Sequence, residues 1–146
     1  MKQTKRFRKA LRGLDGMIVW VHDVDEDAAA DGLSRQHLQD AVIVKLLDSG
    51  IKALGIGSVP EPLGNPWLNV FVNTVKTQDL YFFCIAVRLD EIVRPVRRQG
   101  GKTIGTTWEV GAKGVVNKAA LSREVEKTMD DLIDYFVYDY RLENPS

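Results

Sequence analysis

Apolar positions along the chain change their period several times, and each change marks an element. Met17-Ile18-Val19-Trp20-Val21-His22 is β-branched and apolar with little polar alternation, the pattern of a strand buried on both faces or nearly so. A polar, acidic stretch from Asp23 to Gly32 follows and reads as a loop. Ser34 is a good helix N-cap, and Leu33 and Leu38 on either side of it have the spacing of a hydrophobic staple. Leu38, Val42 and Leu46 then repeat at helical spacing, and Gly50 ends the helix. A short strand is expected at 51–56, so the first third reads strand, helix, strand, with the direction of the second strand open.

Pro60, Pro62, Gly64 and Pro66 make the next segment a loop. From Leu68 to Val75 the period is two: Leu68, Val70 and Val72 share a drier face, while Asn69, Phe71 and Asn73 share the other. A turn at 76–79 leads into a long strand from Leu80 to Val93, with Pro95 marking its end or a bulge. Gln99-Gly100-Gly101-Lys102 reads as a hairpin turn, and 103–110 as a further strand. Leu121, Val125, Met129, Leu132, Phe136 and Tyr140 hold helical spacing over several turns, with Glu124, Lys127, Asp131 and Asp134 outside the stripe. The expected order is β-α-β-β-β-β-α. Each helix has one apolar stripe to cover, so the fold expected is α+β: a two-layer sandwich with a mixed, largely antiparallel sheet of about five strands and two helices on one face.

Composition agrees with this picture. With 146 residues, 45% apolar and 27% charged, the chain has the size and balance of one globular domain. Residues 14–146 read as that domain and 1–13 as a basic, flexible tail carrying Lys2, Lys5, Arg6, Arg8, Lys9 and Arg12. Twenty basic residues balance twenty acidic ones, so nucleic acid is not an expected partner. No run approaches the roughly 20 apolar residues of a membrane span. The basic start lacks the apolar stretch of a signal peptide, which favours a cytoplasmic location. Cys84, the one cysteine, excludes an intramolecular disulfide and reads as a small core residue.

The motifs that might carry chemistry each fail at a named position. Asp23, Asp25 and Asp27 alternate as in a calcium loop, but its sixth and twelfth positions hold Ala28 and Ser34 instead of Gly and Glu. Gly101-Lys102-Thr103 resembles the end of a phosphate-binding loop, but Val96 stands where that pattern needs its first glycine, and a strand follows. Gly55-Ile56-Gly57 is cut short by Pro60. Neither a cofactor nor a metal is therefore expected, and no catalytic residues can be named. The residues left as a candidate ligand or partner surface are His22, Asp23 and Asp25 at the end of the first strand, Arg97 and Arg98 at the hairpin, and Trp108.

Several pieces together resemble a family of small bacterial α/β proteins of uncharacterised function. These are Ile18 to Val21, Gly32-Leu33-Ser34, Leu46-Leu47-Asp48-Ser49-Gly50-Ile51, Thr107-Trp108, and the terminal helix running from Tyr135 into Asn144-Pro145. The resemblance implies a fold of this layout and no catalytic residues. Such relatives are often exported, which makes a periplasmic or envelope location the alternative to a cytoplasmic one. The function expected is a non-enzymatic interaction or accessory domain acting through protein contacts or self-association. A small-ligand or anion-binding domain is the alternative, and an enzyme using paired carboxylates the second.

Overall fold

The computed structural model describes residues 8–58, 65–97 and 100–146. Pro60, Pro62 and Gly64 of the expected loop, and Arg98 and Gln99 of the expected hairpin turn, lie outside the described residues. The elements are β1 (Gly16–Val21), α1 (Glu26–Ala30), α2 (Arg35–Asp48), β2 (Lys52–Gly55), β3 (Trp67–Thr77), β4 (Leu80–Val93), β5 (Thr103–Asn117) and α3 (Leu121–Glu143). They form one five-stranded mixed sheet in the order β2-β1-β3-β4-β5. β1 is parallel to both β2 and β3, which settles the direction left open for the second strand. β3, β4 and β5 are antiparallel neighbours. The α+β fold and its element order are as the apolar pattern predicts. Two details differ: the acidic stretch contains the short helix α1, with Ala28 buried, and β5 runs on to Asn117.

The helices lie on one face of the sheet, α2 against β1 and β2, α3 against β4 and β5. Leu38, Val42 and Leu46 of α2 and Leu121, Val125, Met129, Leu132 and Phe136 of α3 are buried. Opposite them lie Met17, Val19, Val21, Leu68, Val70, Val72, Tyr81, Phe83, Ile85, Val87 and Leu89. Each fully buried side chain of this kind contributes about 1.5–3 kcal/mol. Ser34 caps α2 by accepting from the His37 backbone N–H at 3.2 Å, as its sequence position predicts.

Residues 8–13, expected as part of a basic tail, pack against the domain. Leu11 is buried, and Asn144 at the end of α3 accepts from Gly13 N at 2.8 Å and donates to the Leu11 carbonyl at 2.8 Å. Arg8 and Arg12 pair with the buried Glu143 at 3.5 and 3.3 Å. Two guanidinium groups at a helix C-terminus also complement its dipole. Part of the N-terminal basic charge is thus spent inside the fold.

A polar cluster ties the end of α1 to the sheet. Asp31 accepts from the Tyr81 hydroxyl and from Lys76 Nζ at 2.9 Å, with Lys118 at 3.7 Å. The Tyr81 hydrogen bond first, then the Lys76 one, hold Asp31 below the usual carboxylate range. Burial first, then the bond to Asp31, raises Tyr81, and the same carboxylate raises Lys76. A depressed Asp31 stabilises the fold above the unfolded aspartate value of about 3.9, and that contribution is lost as pH falls through its lower folded value. Raised Tyr81 and Lys76 act in the opposite sense, losing their contribution as pH rises above about 10. Asp31→Asn is therefore expected to melt earlier than the parent at neutral pH, with the difference closing as pH falls below about 4. Melting curves across that range check this; a constant difference would place the destabilisation elsewhere.

Candidate functional site

The other face of the sheet carries no helix among the described residues. Strand parity places Ile18 and Trp20 of β1 and His22 just beyond its end on it, with Trp67, Asn69, Phe71, Asn73 and Val75 of β3. Cross-strand register adds Phe82, Cys84, Ala86, Arg88, Asp90 and Ile92 of β4, and Ile104, Thr106, Glu109, Gly111, Lys113 and Val115 of β5. Between Leu89 and Asp90 the β5 partner jumps from Trp108 to Thr106, so Thr107 is the extra residue of a bulge. Its hydroxyl donates to Glu91 at 2.5 Å.

One end of this face is an aromatic ridge. Trp20 and His22 stack with centroids 4.0 Å apart, His22 and Phe71 at 4.2 Å, and Arg88 lies 4.5 Å from the Phe71 centroid. Trp67 tilts against Trp20 at 5.7 Å. Two rings stacked on one ring must take its opposite faces, so both faces of His22 are occupied. A hydrogen-bonded line underlies the stack. Asp90 accepts from Asn69 Nδ2 at 2.6 Å and from the Thr106 hydroxyl at 2.5 Å, and Asn69 Oδ1 lies 3.0 Å from His22 Nε2. A carboxylate only accepts, so Asn69 must turn its NH2 to Asp90 and its oxygen to His22. His22 Nε2 therefore carries a hydrogen and donates it. The line fixes the ring orientations, so the ridge is preorganised.

The other end is apolar and open. Val75, Phe82 and Val115 sit side by side in register and are 65%, 49% and 60% exposed. They wall a shallow groove of about 510 Å³ that Asn73, Cys84 and Lys113 complete. Leu54, Leu80, Ile92 and Ile104 on the same face are also exposed. A cluster of exposed apolar side chains such as Val75, Phe82 and Val115 marks an interaction surface more often than scattered single ones do.

The residues singled out in the sequence do not converge on one site. His22 belongs to the ridge. Asp23 is exposed, with Arg35 3.9 Å away. Asp25 precedes α1 and accepts from the Thr74 hydroxyl at 3.0 Å on the helix side of the sheet. Arg97 is exposed in the β4–β5 connection, and Arg98 lies outside the described residues. Trp108 is a correction: as a partner surface it would have to be exposed, but it is fully buried under α3. Its indole N–H donates to the buried Asp139 at 3.0 Å, and Phe136 meets it edge-on at 5.1 Å. Cys84 is a second correction, being exposed on the helix-free face instead of in the core.

Trp20, Phe71, Val75, Phe82, Arg88 and Val115 were not singled out. The available signal was the unbroken run from Leu80 to Val87, which is apolar at both parities although only one parity can face the helices. Elsewhere, the carboxylates of Asp130, Asp131 and Asp134 cluster within 4.8 Å on exposed α3. Lys45 already pairs with two of them at 2.8 and 2.6 Å. Burial opposes its charge, but these hydrogen bonds outweigh it and raise its pKa.

No family model and no curated protein matches this chain. Among solved structures it is similar to a crystal structure described as that of an uncharacterized protein, at 13% identity and a TM-score of 0.44, over 84% of this chain and 95% of that one. No helix among the described residues is long and apolar enough to cross a membrane.

Proposed function

We propose that this chain is an interaction domain that docks a protein on the helix-free face of its sheet. The observation that carries the reading is the apolar field of Val75, Phe82 and Val115 beside the fixed ridge of Trp20, His22 and Phe71. A rigid aromatic anchor next to adaptable apolar surface is the usual make-up of an interface core. Nucleobase stacking on His22 and Phe71 is closed, because both faces of each ring are occupied. Nor do the charged groups gather as a small-anion site would require, since Asp90 and Glu91 hold Thr106 and Thr107 while Arg88 lies 3.6 Å from Glu109.

A photo-reactive phenylalanine analogue placed at Val75 tests the assignment against the same analogue at Val44, which is exposed on α2. Adducts are expected from Val75 and not from Val44. Adducts from Val44 alone would move the docking surface to the helix layer.

A further inference from the structure

We infer that the occupant of this face is a second copy of the chain, packed sheet to sheet; this rests on the docking reading above. Three features favour self-association.

The first is area. Strands lie about 4.8 Å apart and rise about 3.3 Å per residue, so the face spanned by β1, β3, β4 and β5 measures on the order of 700 Å². A stable interface buries about 600–1,000 Å² per partner, so the face reaches that range when nearly all of it is covered.

The second is relief. A two-fold contact uses one patch on both copies, so that patch must contain a protrusion and a recess. Val75, Phe82 and Val115 are the larger exposed side chains walling the groove. Next to them the register sets the smaller side chains of Asn73, Cys84 and Ala86, with Gly111 beyond Ala86. Phe82 of one copy has a seat beside Cys84 of the other, and the reverse contact follows by symmetry.

The third is charge. The middle of the face carries two basic residues, Arg88 and Lys113, and two acidic ones, Asp90 and Glu109. Arg88 is paired with Glu109, and Asp90 is held by Asn69 and Thr106. Lys113 sits across from Cys84, four residues along β5 from Glu109, so the face carries as many basic groups as acidic ones. A balanced face of this kind neither repels its own copy nor selects a strongly charged stranger.

Sedimentation of the purified chain over a wide dilution series tests this. A reversible monomer–dimer equilibrium is expected. Phe82→Glu should weaken it on the order of a hundredfold, because symmetry places two charges in the dry contact. Val115→Lys should act in the same direction, and it guards against a folding defect in the first variant. Val44→Glu on α2 should leave the equilibrium unchanged, and circular dichroism with melting curves confirms that each variant is folded. A purified chain that stays monomeric throughout overturns self-association. The docking reading would then survive only if Val75 still formed adducts with a different protein. A dimer that persists in both face variants and is lost in Val44→Glu overturns the assignment of the face.

Discussion

Replacing Trp108 with alanine is expected to destabilise the fold by about 3–5 kcal/mol, a large share of the 5–15 kcal/mol typical of a domain. The side chain is fully buried between the sheet and α3 and touches Phe136 edge-on, so truncation opens a cavity in the layer contact that holds α3 in place. The indole N–H contributes separately. Trp108→Phe keeps most of the packing but removes the donor to Asp139, a carboxylate only 6% exposed. Leaving that acceptor without its partner costs about 1–3 kcal/mol. Removing both groups in Trp108→Phe with Asp139→Leu should cost less than the two single changes together, because no buried group is then stranded. Urea unfolding of the four proteins measures the coupling. Additive costs would mean that the hydrogen bond contributes nothing of its own.

Gln39→Leu is expected to be nearly as damaging, for a reason lodged in the sheet. β2 ends at Gly55, opposite Val19, so the β2 side of β1 runs out of partners there. Gln39 on α2 takes over: its Oε1 accepts from Val21 N at 2.7 Å and its Nε2 donates to the Val19 carbonyl at 2.8 Å. The buried amide acts as one more residue of β2. Leucine fills a similar volume and offers neither group, leaving two buried backbone groups unmade at about 1–3 kcal/mol each. The direct readout is hydrogen exchange at the Val21 amide, which should accelerate well beyond the global effect. Unchanged protection at Val21 would show that another acceptor serves it.

Much of the architecture was legible in the sequence, and for definite reasons. The period-two pattern from Leu68 assigned Leu68, Val70 and Val72 to the helix-covered face and Asn69, Phe71 and Asn73 to the other, because alternation separates the two faces of a strand. The Ser34 cap and the Leu121–Tyr140 stripe placed the two long helices for similar local reasons. α1 was missed because a helix of five residues has too few turns to show a period. Gln39 was unreadable for a different cause: its role depends on β2 ending early, which is a tertiary fact. The candidate site was hardest. Apolar residues at both parities of β4 imitate a strand buried on both sides, so Cys84 read as core. Trp108 carried no sign of which side of the sheet it takes. The same ambiguity, once the helices are known to cover one side only, points to the helix-free face.

Cys84 makes that face directly measurable, since it is the chain's one thiol and lines the apolar groove there. Its rate of reaction with a water-soluble disulfide reagent should fall about tenfold between dilute protein and a concentration at which about nine-tenths of the chain is dimeric, by mass action. In Phe82→Glu, whose dimer is weakened on the order of a hundredfold, about two-thirds of the chain stays monomeric at that concentration, so its rate should fall less than twofold. A thiol that reacts equally fast at every concentration in both proteins would contradict the account.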